Sequence, residues 1–282
     1  MSGPEVIRVA DAETAAERAA DVIAEALGEA VSRAGRADWA TTGGSTPTGV
    51  YRALMAGGPG AVQWNAVHTW WGDDRFVPSD HPLSNVRPFE DILEEAGAWE
   101  TVHSDVHRGR FHVPAENVHP FRTGEAIGAG RSADECAAEL EAELRAAGLK
   151  EADGFPVFDL LFVGVGGDGH LLSVFPGSPA FDSRDWALAI PAPTHIEPHV
   201  PRVTLNPATV TVARRVLAVV LGESKADIVR RLFGDPVDPK TLPAQLAIRD
   251  DATWILDEAA AAQLHPRPRL SVTTNGICIK PQ

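Results

Sequence analysis

The sequence predicts an α/β fold, an open and mostly parallel β-sheet with helices on both faces. Short apolar runs alternate along the chain with stretches of helical spacing, the pattern that β-α-β units produce. The runs are apolar at successive rather than alternate positions, as in strands covered on both sides. Several of them stop in glycine-rich or charged clusters, which places polar chemistry at the carboxyl edge of a sheet built by right-handed crossovers.

Each element follows from local pattern. Residues 11–34 set Val22, Ile23, Leu27 and Val31 at helical spacing among alanines and acids, so an amphipathic helix opens the chain. Trp39 to Thr42 is a short strand that stops at Gly43-Gly44, and Pro47 opens a helix through Tyr51, Leu54 and Met55. Val67 to Gly72 is a second buried strand ending in Asp73-Asp74-Arg75. Ser132 and Glu135 form a capping box for a helix over 132–147. Phe158 to Val165 is the strongest strand signal, followed at once by Gly166-Gly167-Asp168-Gly169-His170. Arg215 to Leu221 then leads through Gly222 into a helix from Ser224 to Phe233, and Thr253 to Leu256 leads into a last helix from Asp257 to Leu264.

The chain's 282 residues are read as one α/β domain. The His-, Gly- and Pro-rich stretch at about 100–130 is expected to be a long loop and a lid. Hydrophobic residues at 44% and charged residues at 23% exclude disordered and fibrous classes. A net charge of -14 argues against nucleic-acid partners, because it repels a phosphate backbone. It also means that cations meeting a phosphorylated ligand must be gathered locally. Cys136 and Cys278 have no zinc or redox spacing, which fits a reduced, cytoplasmic setting. Acids spread through the first thirty residues do not read as a signal peptide, and no run is long enough to span a membrane.

Three segments carry candidate chemistry. In Thr41 to Pro47, Gly43 and Gly44 allow backbone N–H groups to approach an anion, and Ser45 and Thr46 offer hydroxyls at a helix N-terminus. A capped tight turn explains that segment equally well when it stands alone. His170 sits on a glycine-rich turn with Asp168 two residues away, which suits a general base, although a histidine taken alone is more often a satisfied structural residue. A solvated turn accounts for Asp73-Asp74-Arg75 taken singly, and the same holds for Arg202 and Lys225; the functional case is that all fall at one sheet edge. His195 and His199 have i, i+4 spacing, but Pro193, Pro198 and Pro201 prevent a helix from presenting both to a metal. His103, His107, His112 and His119 are read as solvated loop residues.

Gly43 to Pro47, Trp71 to Arg75 with Val77-Pro78 and Ser84-Asn85, Val113-Pro114 with Glu116 to His119, Gly164 to Gly177, Arg202 to Leu205, and Gly222 with Lys225 together resemble the 6-phosphogluconolactonase family. The resemblance implies a Rossmann-like fold shared with glucosamine-6-phosphate deaminases, with no cofactor and no metal. It implies a small-molecule partner, a phosphorylated sugar lactone, hydrolysed by a monomer or homodimer in the pentose phosphate pathway. His170 matches the base, and Asp168 and Asp73 match site carboxylates. Gly43, Gly44, Ser45, Thr46, Arg75, Asn85, Arg202 and Lys225 match groups around phosphate and sugar oxygens. The chain departs from the family pattern at Asp74, where Glu is frequent, and at Leu172, where a small residue is usual. Phe175 stands where the deaminases carry a Glu five residues after the histidine.

Overall fold

The computed structural model describes residues 3–57, 62–95, 113–264, 270–273 and 276–279, the last two segments by backbone alone. Its strands are β1 (Glu5–Val9), β2 (Ala37–Thr41), β3 (Val67–Trp71), β4 (Asp73–Arg75), β5 (Val118–His119), β6 (Glu151–Ala152) and β7 (Phe155–Pro156). They continue as β8 (Leu160–Val163), β9 (Ala187–Ile190), β10 (Arg202–Leu205), β11 (Val216–Val220), β12 (Ala252–Asp257), β13 (Leu270–Thr273) and β14 (Gly276–Ile279). The α-helices are α1 (Ala12–Ala34), α2 (Ser45–Ala56), α3 (Arg87–Glu95), α4 (Thr123–Gly128), α5 (Ala133–Ala146), α6 (Ala208–Val212) and α7 (Ala226–Gly234).

The main sheet has the order β13-β14-β1-β12-β11-β8-β2-β3-β5. From β1 to β5 every neighbour is parallel, while β14 joins β1 antiparallel. Setting β1 aside, the parallel strands taken in chain order as β2, β3, β5, β8, β11 and β12 lie in space as 3-2-1-4-5-6, the doubly wound arrangement. The order reverses between β2 and β8, so the crevice expected at such a reversal opens beyond Thr41 and Val163.

Sequence pattern accounts for the long elements. Asp11 caps α1 through Thr14 N–H, Arg33 lies in its last turn, and Gly35 ends it in the left-handed conformation at φ 71°. α1 turns Ala15, Ala19, Ile23, Ala26, Leu27 and Ala30 inward, onto the sheet and α2. In α5 both halves of the Ser132–Glu135 capping box form. The core is dominated by Trp39, Trp70, Trp71, Trp254, Phe158 and Phe162, all fully buried. Among the described residues no helix is long and apolar enough to cross a membrane.

Several expectations need correction. The helix expected over Asp257 to Leu264 does not form: β12 runs to Asp257 and residues 258–263 are turns, because the Asp257 carboxylate accepts from Ala260 N–H and from Gly222 N–H, drawing the chain into a cap. The 100–130 region is not one loop. Residues 113–130 contribute the edge strand β5 and the helix α4, while 100–112, with His103, His107 and His112, lie outside the described residues. His119 is buried rather than solvated: it stacks on Trp70 at 3.9 Å and donates from Nδ1 to Glu143 at 2.6 Å. Its Nε2 lies 2.9 Å from His68 Nδ1, and burial with the nearby Arg36 charge lowers His68 to about 4. The helix expected from Ser224 starts as a 3₁₀ turn over Glu223–Lys225.

Candidate active site

Gly72 marks where the chain leaves the parallel sheet. Its N–H donates to Thr41 O at 2.7 Å, its carbonyl accepts from Leu205 N–H, and an added Cβ would lie 2.6 Å from Leu172 Cδ2. Ends of β2, β3, β10 and the turn after β8 therefore meet around one residue without a side chain. Beyond Gly72 the chain forms β4, the edge of a small antiparallel sheet β4-β10-β9 in which Arg75 pairs with Arg202 and Asp73 with Thr204. The charged cluster read as a strand end is thus a strand of its own.

That pairing sets the two arginines opposite each other, near enough for the Arg75 charge to act on Arg202. Arg75 Nη1 donates to Asn85 Oδ1 and to Leu83 O. Asn85 in turn packs against Gly43, where a Cβ would lie 2.4 Å from its Cα, so only glycine fits. Arg202 is 4% exposed; its Nη2 donates to Pro198 O at 2.9 Å, and its Nη1 is buried with no hydrogen-bond partner among the described residues. Burial, followed by the Arg75 charge, lowers its pKa. A buried donor left unmatched costs about 1–3 kcal/mol, a cost that an anion would relieve.

The carboxylates divide by environment. Asp73 Oδ2 accepts from Ser173 Oγ at 2.6 Å, tying β4 to the turn after β8. Asp74 is fully buried and accepts from the N–H groups of Asn85 and Arg75 and from Ser84 Oγ. Burial raises its carboxyl to about 7 against the pull of those two N–H groups, with the Asp73 charge adding to the rise.

After β8, Gly169 N–H donates to Gly166 O and Gly166 N–H to His170 O, closing a tight turn in which Gly169 has φ 87°. Asp168 Oδ1 accepts from His170 N–H at 3.1 Å and lies 2.5 Å from His170 Nδ1. Burial raises the Asp168 carboxyl, but the hydrogen bonds and charge of His170, with a bond from His195, outweigh it and hold the group well below the usual carboxylate range. A carboxylate only accepts, so His170 Nδ1 carries the proton and Nε2 of the neutral ring carries a lone pair. The His170 side chain is 21% exposed and is not walled off. Lys225 Nζ donates to Val165 O at 2.7 Å on the same turn; burial lowers it, while the Asp168 charge opposes that.

The structure thus joins Gly43, Asn85, Arg75 and Arg202 through one set of contacts, and Asp168, His170 and Lys225 through another, with Asp73–Ser173 between them. Asp168, not Asp73, is the carboxylate on His170. Gly44 heads α2 with φ 110° and no side-chain cap, leaving exposed Ser45 and half-buried Thr46 at the helix N-terminus. Sequence reasoning missed His195, whose Nε2 donates to Asp168 Oδ2 at 2.9 Å. Only its chain position among prolines was legible. His199 turns elsewhere, to Pro193 O and Glu197.

The chain matches the family described as glucosamine-6-phosphate isomerases/6-phosphogluconolactonase over residues 10–255. It is similar to the 6-phosphogluconolactonase of Synechocystis sp., 31% identical over 251 residues that cover 89% of this chain and 94% of that protein. It is 33% identical over 241 residues to the Mycobacterium tuberculosis 6-phosphogluconolactonase, covering 85% of this chain and 90% of that one. The solved structure of 6-phosphogluconolactonase from Trypanosoma brucei superposes with a TM-score of 0.76 at 25% identity, covering 94% of this chain and 100% of that one. A match running through the sheet's switch point and nearly to the end of β12 shows that the chain belongs to the glucosamine-6-phosphate isomerase/6-phosphogluconolactonase family.

Proposed function

We propose that the protein hydrolyses 6-phospho-D-glucono-1,5-lactone to 6-phospho-D-gluconate in the oxidative pentose phosphate pathway of the cytoplasm, with His170 as general base. The observation that carries this reading is the hydrogen bond of His170 Nδ1–H to Asp168, which leaves Nε2 as the acceptor. Nε2 takes a proton from water as its oxygen attacks C1 of the lactone. The oxyanion that forms is steadied by Arg75 or an N–H of the glycine turn. As the bond from C1 to the ring oxygen breaks, His170 returns the proton to that oxygen, giving the open-chain acid. Arg202, Lys225, Asn85, Ser45, Thr46 and the N–H groups after Gly43 and Gly44 hold the phosphate and sugar oxygens.

Phe175 supports hydrolysis over deamination. Its ring packs on His170 at 4.8 Å, an apolar surface at the position where the deaminases carry a proton-relaying Glu. Disappearance of the phosphorylated lactone, corrected for spontaneous opening, tests the activity. The variant His170→Ala is expected to lower kcat by about 10²–10⁴-fold with little change in KM. Near-normal turnover in that variant removes His170 from the role, and ammonia released from glucosamine 6-phosphate would favour deamination.

A further inference from the structure

His195 lies on the segment joining β9 to β10 with half of its side chain exposed, yet it donates to a carboxylate that already serves His170. Asp168 thereby has each oxygen committed: Oδ1 to His170 Nδ1 at 2.5 Å and Oδ2 to His195 Nε2 at 2.9 Å. Phe175 stands against both rings, 4.8 Å from His170 and 5.5 Å from His195 between centroids, and walls the triad on one side. The segment is itself held, since His199 Nδ1 donates to Pro193 O at 2.7 Å and Pro198 O accepts from Arg202.

From this geometry we propose that His195 is a positioning residue for the base, acting through Asp168 to fix the carboxylate plane and hold His170 in the tautomer whose Nε2 is free. The inference rests on the reading of His170 as base. A carboxylate anchored at one oxygen alone can rotate and offer either oxygen to the imidazole; a second donor on Oδ2 removes that freedom. The same donor draws charge from Asp168, so its removal leaves a more negative carboxylate that favours the doubly protonated His170 ring, while the freed carboxylate no longer fixes which nitrogen of the neutral ring faces it. The charged and titratable groups around it are Asp168, His170 and Lys225 on the facing turn and helix start, and Glu197 paired with His199 on its own segment.

The test measures lactone hydrolysis by His195→Ala and His195→Gln across pH ~5–8, together with ¹⁵N NMR of the His170 ring. In His195→Ala, kcat should fall about tenfold, KM should change by less than about twofold, and the acid limb of the rate should move to higher pH. His195→Gln, whose amide N–H reaches Oδ2, should recover most of the rate. The His170 Nε2 signal should be that of an unprotonated nitrogen in the unaltered protein and of a tautomer mixture in His195→Ala. Unchanged kcat, pH profile and tautomer in His195→Ala overturn the proposal, as does a Gln variant no better than Ala. If the unaltered protein fails to accelerate lactone opening, the proposed function falls, and the tautomer comparison still decides the role of His195.

Discussion

A methyl group at Gly166 would lie 2.0 Å from His170 Nδ1 and 2.7 Å from Asp168 Oδ1, so Gly166→Ala must push the pair apart. The turn is partly exposed and can shift without opening the core. We expect kcat to drop at least about tenfold while thermal unfolding moves little, measured by turnover and circular dichroism. Arg202→Ala is expected to raise KM for the phosphorylated lactone far more than for the unphosphorylated one; equal losses would show that Arg202 does not meet the phosphate. At this scale the sequence reveals what is close along the chain. Asp168 and His170 are two residues apart and read as a pair, whereas His195 is 27 residues from its partner and Ser173 is 100 from Asp73. Such contacts depend on how strands are ordered, which no local pattern encodes.

Among elements, β4 shows the limit of pattern most clearly. Asp73-Asp74-Arg75 has no strand propensity, and it is extended because β10 pairs with it in register. The helices were easier, since caps and periodicity are local: α1 and α5 match their expected spans, while the segment after β12 kept helical spacing but lost its helix to the Asp257 cap. Asp74 makes β4 sensitive to pH. With its folded pKa raised to about 7 by burial, the native protein binds a proton between about pH 4 and 7 that the unfolded chain releases, so stability declines as pH rises through that window. Asp74→Asn retains an oxygen for both N–H donors and lacks the charge. Its melting temperature relative to the unaltered protein should climb between pH ~5 and ~7.5, and a constant difference would count against a raised carboxyl. Ser132→Ala removes the α5 cap and should cost about 1 kcal/mol, or roughly 2 °C in Tm by calorimetry.

Over the whole molecule, α1 is the element that crosses between halves, touching β2 and β8 on either side of the reversal as well as β11, β12 and β1. Ile23, fully buried on its inner face, is where a cavity would reach both halves at once. Ile23→Ala should cost about 2–5 kcal/mol and lower Tm by roughly 4–10 °C. One cooperative transition in calorimetry is the expected form, and two resolved transitions would divide the chain into separate units. The doubly wound layout itself was legible, because buried strands and amphipathic helices alternate in sequence; strand order was not, and neither was the docking of β1 beside β12. That docking has a consequence for biosynthesis. Glu5–Val9 is translated well before both of its hydrogen-bonding neighbours, Ala252–Asp257 and Gly276–Ile279. At ~5–20 residues added per second, this segment waits on the order of ten seconds or more with both edges unmatched, and unpaired strand edges of that kind are prone to aggregate.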